Sequence, residues 1–461
     1  MKFTKFGKAL LMGALSVGVV LGITSCVQSY SVGYLYVTGT VTAQTTGAGI
    51  VSGFKIDHNT GKLTAINGLP VSSGGANPVR AVLTGQSRFI YVLNRGVNAS
   101  GGSICTSPGT SPGPCQNSNI TQFAVGGNGV LTAQETFYTQ GVNPFRMMVD
   151  GTGTYLLVLD HDSPDNSSPS STDGCANALN GVTTCGDVTV FQINQTTGRL
   201  SLVVNSQVTS ATGQKLTYFP VPANPVDFAL AGSYLLTLNG SSFSYNASTA
   251  AYNGGTSVFP YSYSTSTGQL TVTSNSSQQL GITQGNSLFY TFNVLYVLAN
   301  DPITLTFNGV STVAQSQILP YTVGSTGSLQ AEASGTVPDD PTLANPIALL
   351  EESKGTHIYV ANQGNNVSGS NAQSGISGYF ITANPYQLSF ISGEPFGSGA
   401  GPQCIVEDPS NQFLYEANFN DSTIYGRVID PNSGVLNDMR KTNTFVVQGP
   451  PTWCLVDGRT S

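Results

Sequence analysis

Residues Phe191–Leu200 have the sequence Phe-Gln-Ile-Asn-Gln-Thr-Thr-Gly-Arg-Leu, which is one of seven related copies along the chain. Each copy begins with an aromatic or branched run, continues through a polar turn that contains glycine in six copies, and ends at a leucine. This pattern predicts a β-hairpin, because alternating side chains place one face inward and glycine accepts the positive φ of the turn. The other copies begin at Phe54, Phe123, Tyr261, Tyr321, Tyr379 and Arg427.

Two more strands are predicted before each hairpin. One is a short apolar run, of which Phe89–Asn94 and His357–Asn362 are examples. The strand before it opens with Asn-Pro or Gly-Pro, and proline is tolerated at the first residue of a strand. Four strands per unit, repeated seven times, predict an all-β fold: a seven-bladed β-propeller with four-stranded antiparallel blades.

The two ends of the chain predict that the propeller closes into a ring. The first unit begins at Tyr34–Val37 and lacks an opening strand, whereas Pro450–Asp457 matches the opening strand Gly401–Asp408 in type. The C-terminal strand therefore joins the N-terminal blade, and closure removes the free sheet edges. This arrangement places Cys404 and Cys454 on the innermost strands of adjacent blades, where we expect a disulfide.

The composition supports an all-β fold and excludes one class of partner. Charged residues make up 8% of the 461 residues, whereas glycine occurs 54 times. The net charge of -7 is spread thinly along the chain. A nucleic-acid partner would need clustered Lys and Arg on one face, so we expect none.

The N-terminus has the pattern of an export signal. Lys2, Lys5 and Lys8 precede an apolar stretch that ends at Ile23, which predicts a signal peptide over residues 1–25. The end of this stretch resembles a bacterial lipobox, so we expect lipidation of Cys26, anchoring to a membrane and location in the cell envelope, at the outer membrane or cell surface. The alternative is a simple secretory peptide cleaved near Ser25. We expect a tether over 26–32 and one propeller domain over 33–461, as a monomer.

The remaining cysteines favour disulfides over metal binding. Six cysteines besides Cys26 form an even set in a chain predicted to enter an oxidising compartment. Cys105 and Cys115 lie in one Gly/Pro/Ser-rich segment, and Cys175 and Cys185 lie in another. Each of these pairs is predicted to close its own loop.

Polar residues are predicted to gather at one rim, where first strands start and second strands end. Arg80 and Arg146 follow an opening proline by two residues in successive blades. They form a candidate clamp for a carboxylate or phosphate, and His161 is the candidate general base. The predicted ligand contacts at the same rim are Arg95, Asp160 and Asp227.

Simpler interpretations of these residues stay open. Arg146 and Asp227 could form a salt bridge. Asp160, His161, Asp162 and Asp165 could bind Ca²⁺, or could be a solvated acidic turn, because the spacing of a dedicated calcium loop is absent. No phosphate-binding loop, nucleophile elbow or zinc spacing occurs. We therefore expect neither a metal nor a cofactor.

The unit Gly401–Asn418, followed by Gly434–Leu436, resembles the lactonase-type seven-bladed propeller family, which includes bacterial 6-phosphogluconolactonases and carboxymuconate cyclase. The resemblance covers residues 33–461 and implies work on a lactone ring by a His, a Glu and arginines at one mouth of the channel. The chain departs from this pattern, because Asn or Gly stands before the opening prolines and Glu407 and Glu416 have no evident His partner. Only Arg80 and Arg146 carry over.

Two functions are compatible with these observations. The low charge, the export signal and the missing His favour an exported, lipid-anchored module that binds a small molecule, a glycan or a protein at one rim. The alternative is a lactone hydrolase acting at the channel mouth.

Overall fold

The structure is a computed structural model that describes residues 30–41, 47–84, 88–98, 115–164, 177–179, 182–210, 213–240, 245–246, 251–252, 255–273, 277–307, 310–364, 373–383 and 386–458. These residues form strands, turns and irregular segments without a helix, so this part of the chain holds no helix that could cross a membrane. The predicted signal peptide and Cys26 lie outside the described residues.

The strands are named in chain order. Those of the first half are β1 (Ser31–Thr40), β2 (Ala48–Asp57), β3 (Leu63–Ala65), β4 (Val71–Ala76), β5 (Pro78–Leu83), β6 (Phe89–Asn94), β7 (Val97–Asn98), β8 (Cys115–Gln116), β9 (Asn119–Val125), β10 (Leu131–Phe137), β11 (Val142–Val149), β12 (Tyr155–Asp162), β13 (Asn177–Leu179), β14 (Val182–Ile193), β15 (Leu200–Leu202), β16 (Phe219–Pro222), β17 (Pro225–Ala231), β18 (Tyr234–Asn239), β19 (Tyr245–Asn246) and β20 (Ala251–Tyr252).

Those of the second half are β21 (Ser257–Tyr263), β22 (Leu270–Val272), β23 (Gln278–Gln279), β24 (Gly285–Thr291), β25 (Val294–Ala299), β26 (Ile303–Phe307), β27 (Val310–Ala314), β28 (Gln317–Val323), β29 (Leu329–Ala331), β30 (Val337–Pro338), β31 (Pro346–Glu351), β32 (His357–Asn362), β33 (Gly375–Ala383), β34 (Tyr386–Phe390), β35 (Pro402–Glu407), β36 (Phe413–Asn418), β37 (Thr423–Ile429), β38 (Leu436–Asp438), β39 (Thr444–Val446) and β40 (Pro451–Asp457).

These strands build seven antiparallel sheets in a ring, so the predicted seven-bladed propeller is confirmed. From the innermost strand outward, the blades are β40-β1-β2-β3, β5-β6-β9-β10, β11-β12-β14-β15, β17-β18-β21-β22, β24-β25-β28-β29, β31-β32-β33-β34 and β35-β36-β37-β38, numbered 1 to 7 below. In five blades the outer edge also carries a second short strand. The short ribbons β7-β8, β19-β20 and β26-β27 lie in connections between second and third strands.

The predicted ring closure is also confirmed. Strand β40 pairs with β1 in antiparallel register, with Val37 opposite Cys454, and supplies the innermost strand that blade 1 otherwise lacks. A disulfide joins Cys404 of blade 7 to Cys454 of blade 1, with a Cα–Cα distance of 5.9 Å. The seam between the first and last blades is therefore held by both hydrogen bonds and a covalent bond.

The second strand of each blade lies between two neighbouring sheets. Every residue of β6, β12, β25, β32 and β36 is buried, which explains their continuous apolar runs. Their alternate side chains enter the seams on either side. The buried apolar residues accordingly form seven clusters, each shared by two adjacent blades. The core of the protein is thus a ring of seams around the central axis.

The glycine that recurs in the hairpin turns lies at these seams. Gly198 has φ +70°, and a Cβ there would lie 2.7 Å from the ring of Phe89 in the preceding blade. In four other blades, a Cβ on the equivalent glycine would lie equally close to a ring of the preceding blade. These rings belong to Tyr34, Tyr155, His357 and Phe413. Glycine is needed here both for the left-handed turn and for the close approach of an aromatic ring.

Tyrosine hydroxyls add a hydrogen bond at the seams. Tyr36 donates to the Gly129 carbonyl at 2.7 Å, and Tyr359 donates to the Gly434 carbonyl at 2.7 Å. Five other tyrosines donate to turn carbonyls of the next blade in the same manner: Tyr34, Tyr91, Tyr155, Tyr234 and Tyr415. Since each bond crosses from one sheet to the next, it fixes the relative position of neighbouring blades.

The seam between blades 5 and 6 departs from this pattern. Blade 6 has the hairpin copy without glycine, and blade 5 has Val294 in place of the aromatic residue. Here the hydroxyl of Tyr296 bonds to that of Tyr386 and lies 3.5 Å from Glu351 Oε2. Burial raises the pKa of the Glu351 carboxyl to about 7. A polar cluster thus replaces the turn contact.

The other predicted disulfides lie mostly outside the described residues. Cys115 is disulfide-bonded, but its predicted partner Cys105 is not among the residues described. The same holds for Cys175 and for the side chain of Cys185, so their pairing stays a prediction.

Replacing Tyr359 by Phe removes the hydroxyl that bonds to Gly434 and leaves a buried carbonyl without this partner. We expect a loss of about 1–2 kcal/mol in the free energy of unfolding, measured by urea denaturation followed by circular dichroism. Tyr138→Phe is the matched control, because Tyr138 is 61% exposed. Equal stability of the two variants would contradict the proposed role of the seam hydrogen bond.

Replacing both Cys404 and Cys454 by Ala removes a cross-link across 50 residues of sequence. The chain-entropy model predicts a loss of about 4 kcal/mol for a loop of this length. A lower thermal midpoint for the double variant, and for the reduced wild-type protein, is the expected result. A midpoint within one degree of the oxidised protein would show that β40 alone closes the ring.

Candidate functional site

The innermost strands begin with a common backbone distortion. The residue before the opening proline has a positive φ at Asn77, Asn143, Asn224, Asn345 and Gly401. Asn and Gly tolerate this left-handed conformation better than other residues do. A bulge then follows directly, so that the residue two positions after the proline resumes the pairing with the second strand. This explains why Asn or Gly stands before the proline.

The same bulge occurs in blades 1 and 5, so all seven blades place one residue at an equivalent position of the innermost strand, called the slot below. The innermost strands contact one another in ring order, and the slots therefore lie around the channel wall. In order from blade 1 to blade 7 the slot residues are Trp453, Arg80, Arg146, Asp227, Ser287, Ala348 and Cys404. Charge is confined to blades 2 to 4.

Arg146 and Asp227 form the salt bridge that the simpler interpretation anticipated. Arg146 Nε lies 3.1 Å from Asp227 Oδ1, and the side chains are 23% and 7% exposed. Asp227 also accepts hydrogen bonds from the N–H groups of Phe228, at 2.9 Å, and Leu288, at 3.0 Å. This carboxylate is therefore occupied by three donors, and it connects the innermost strands of blades 3, 4 and 5.

Arg80 lies against an aromatic ring instead of a carboxylate. Its guanidinium carbon is 3.6 Å from the centre of the Trp453 ring. The indole N–H of Trp453 donates to the Ala81 carbonyl at 3.0 Å, which holds the ring beside β5. Burial lowers the pKa of Arg80 well below its usual value, and Arg146 acts in the same direction, while Asp227 opposes them. Arg80 is thus a partly desolvated cation beside a second cation.

Arg95 directly follows β6, the second strand of blade 2. It is buried, and burial lowers its pKa to about 10, with Arg146 acting in the same direction and Asp162 in the opposite one. Three arginines thus influence one another electrostatically near the start of blades 2 and 3. Asp227 and Asp162 lie in the same region and act against this mutual effect of the arginines.

His161 is enclosed rather than free at the rim. Its side chain is 7% exposed, Nε2 lies 3.2 Å from Asn224 Oδ1, and Nδ1 lies 3.2 Å from Asp162 Oδ2. Asn143 donates to the same Asp162 oxygen at 3.0 Å. Both opening asparagines, Asn143 and Asn224, are therefore connected to this histidine segment. The predicted general-base role of His161 would require the ring to leave these contacts.

Asp160 is fully buried beside Asp187, its cross-strand neighbour. Burial raises the pKa of Asp160 well above its usual value, although hydrogen bonds from Thr139 and Thr189 act in the opposite direction. A ligand has no direct access to this carboxyl in the structure. Within the described ranges no three His, Cys, Asp or Glu side chains are arranged to hold a metal ion; Asp165 lies outside those ranges.

The remaining acid and histidine candidates lie away from the channel wall. Glu416, on the second strand of blade 7, is fully buried and accepts from the Gly399 N–H at 3.0 Å; burial raises its pKa to about 8. His357 packs against Phe380 and against Gly434 at the seam between blades 6 and 7. Glu407 accepts from the Ser353 N–H at 3.0 Å. Each has a structural explanation.

Trp453 is a site residue that sequence reasoning did not single out. The signal was present, because Trp453 follows Pro451 by two residues, as Arg80 follows Pro78. Its contact with Arg80 becomes visible only when the ring is closed. The two segments that hold the cysteine pairs Cys105–Cys115 and Cys175–Cys185 lie largely outside the described residues.

Residues 35–168 match the family model described as lactonase, 7-bladed β-propeller. The chain resembles the lactonase-type propellers. Among solved structures, a periplasmic gluconolactonase from Pseudomonas aeruginosa is 16% identical, with 93% of this chain and 99% of that chain covered and a TM-score of 0.59. A proposed 6-phosphogluconolactonase from Bacteroides uniformis is 12% identical, with 92% and 99% covered and a TM-score of 0.60. At these identities the structures support the fold alone. No curated protein matches the sequence.

Replacing Asp227 by Ala leaves Arg146 without its carboxylate and two buried N–H groups without an acceptor. We expect a loss of about 3–5 kcal/mol in the free energy of unfolding, because breaking a buried ion pair is costly. Asp438→Ala is the control: its pair with Arg427 is at 3.2 Å, but Asp438 is 70% exposed, and such pairs contribute under about 1 kcal/mol. Similar losses in urea denaturation would refute a structural role for the buried pair.

Proposed function

We propose that the protein is a lactone hydrolase that acts at the channel mouth beside blades 1 to 4. The observation that carries the proposal is the pair of equivalent arginines, Arg80 and Arg146, of which only Arg146 is paired with a carboxylate among the described residues. The match of residues 35–168 to the lactonase family model supports the type of reaction. The likeness to a gluconolactonase agrees with it at the level of fold.

The proposed reaction needs mainly electrostatic assistance. Water attacks the lactone carbonyl carbon, the ring C–O bond breaks, and the attacking water's proton passes to the released alkoxide, which gives a hydroxy acid. Negative charge develops on the carbonyl oxygen as water adds. Fixed cations stabilise that charge in a site of low dielectric, and removal of one such donor typically lowers kcat about 10²–10³-fold. Arg146, held in place by Asp227, has this role in the proposal.

A second candidate is binding without turnover. The enclosure of His161, at 7% side-chain exposure, favours it because no other histidine lies at the channel wall among the described residues. In this case the same arginines hold an acidic ligand, and the protein is the binding module that the composition favours. Both candidates use the same rim, and only turnover separates them.

The proposal includes export and anchoring. The basic residues and apolar stretch before Cys26 support a signal peptide, and the residues around Cys26 support a lipid anchor. A hydrolase at that place would act on lactones outside the cytoplasm. Its substrate would then be an extracellular or periplasmic sugar-acid lactone.

The test is hydrolysis of a panel of γ- and δ-lactones of sugar acids by the purified protein, followed by base uptake at constant pH. We expect turnover by the wild type and a loss of about 100-fold in kcat for Arg146→Met. Arg199→Met is the matched control, because Arg199 is 71% exposed and lies in the turn between β14 and β15 of blade 3. His161→Asn measures the predicted general base.

The outcomes separate the two candidates. A loss in an Arg146→Met variant that is still folded at the assay temperature by circular dichroism, without a loss in Arg199→Met, supports the rim as the active site. A comparable loss in His161→Asn assigns the proton transfer to that ring. Absence of turnover on every lactone rejects the hydrolase and leaves the binding module.

A further inference from the structure

Trp453 and Arg80 form a contact that no other pair of slots repeats. The closing strand β40 supplies Trp453, and strand β5 of the neighbouring blade supplies both Arg80 and the carbonyl of Ala81 that accepts the indole N–H at 3.0 Å. The indole is therefore fixed to the strand that carries the arginine. The guanidinium carbon lies 3.6 Å from the ring centre, so the cation rests directly on the indole.

The N–H donors of Arg80 are available to a ligand. A guanidinium has five N–H donors, and within the part of the chain that the structure describes, Arg80 makes no hydrogen bond or ion pair. The nearest acid by charge interaction, Asp227, already accepts from Arg146, Phe228 and Leu288. A partly desolvated cation without a protein acceptor in the described ranges can receive an anionic group with all its N–H donors.

An aromatic face suits a binding cation better than a carboxylate does. It stabilises the positive charge through the ring quadrupole and uses none of the N–H donors. It also fixes the plane of the guanidinium, so that the fork is oriented before a ligand arrives. Arg146 differs in this respect, because its Nε is already donated to Asp227. Of the two arginines, Arg80 is the one whose donors are free to make a bidentate contact with a ligand.

We infer that Arg80, held against Trp453, binds the carboxylate or phosphate group of a small acidic ligand, and that Trp453 is the positioning residue for this contact. The inference deepens the proposed function and rests on it for the identification of that ligand as an acidic lactone. The anion site itself depends only on the contacts of Arg80. It predicts that the protein binds acidic compounds that cannot be hydrolysed.

The sequence supplies a direct reporter, because Trp453 is the only tryptophan among the 461 residues. Tryptophan emission is titrated with inorganic phosphate and, separately, with gluconate, each at ionic strength matched with sodium chloride. We expect a saturable change in emission with at least one of them. Saturation by phosphate alone indicates a phosphorylated ligand, and saturation by gluconate alone indicates a free sugar acid.

Two arginine variants test the binding residue. Arg80→Met keeps an unbranched apolar stem and the reporter but removes the guanidinium and its charge, and we expect affinity to fall about 10–100-fold, as for loss of a charged hydrogen bond. Arg80→Gln is the second variant in case the first fails to fold. Arg199→Met should bind as the wild type does. Anion binding that is unchanged in a folded Arg80 variant overturns the inference.

Variants of Trp453 lack the fluorescent reporter, so the positioning role of Trp453 is tested by calorimetric titration. Trp453→Phe keeps an aromatic face and should retain affinity within about threefold, whereas Trp453→Leu should lose about 10-fold, the smaller end of the charged-contact range. A merely structural role would lower the thermal midpoint of both variants without separating their affinities. Equal affinities for Phe and Leu therefore reject Trp453 as a positioning residue.

Failure of this inference and failure of the proposed function give different results. Saturable anion binding without turnover of any lactone keeps the Arg80 site and rejects the hydrolase. Turnover of neutral and acidic lactones at equal rates, without anion binding, keeps the hydrolase and overturns the Arg80 site. Absence of both rejects the two proposals together.

Discussion

The structure depends on the contact between a turn glycine and an aromatic ring of the preceding blade. A blade cannot bury both faces of its second strand alone, so every blade needs a neighbour on each side. The turn glycine allows the ring to approach, and the tyrosine hydroxyl beside it fixes the distance through a carbonyl of the next blade. Because the contact recurs around the ring, with one polar substitute at Tyr296 and Tyr386, it sets the number and spacing of the blades.

The backbone repeats, whereas the slot side chains do not. Seven equivalent bulges place residues of six different types around one channel, and charge collects on three neighbouring blades. The Arg146–Asp227 pair stabilises the channel wall, whereas Arg80 has an aromatic support and no acceptor in the part of the chain that the structure describes. The functional asymmetry of the site thus comes entirely from side chains on a nearly symmetric framework, in agreement with the many functions that propellers perform.

The fold was predictable because its signals are local and repeated. The hairpin glycine, the opening proline and the second-strand run each occupy about ten residues, and their order along the chain gives the blade. The slot positions of Arg80, Arg146 and Asp227 followed from the same repeat. The environment of His161 did not, because Asn224 and Asp162 reach it only in the folded ring. The support of Arg80 by Trp453 was missed for the same reason, since 373 residues separate them in sequence (453 minus 80).

The pairing of β40 with β1 has a consequence for biosynthesis. Translation delivers β1 long before β40, so the emerging polypeptide holds an unpaired β1 edge until β40 has left the ribosome. Trp453 arrives with β40, so a chain terminated before it lacks both the closing strand and the aromatic support of Arg80. The proposed anion site can therefore form only in chains that include β40.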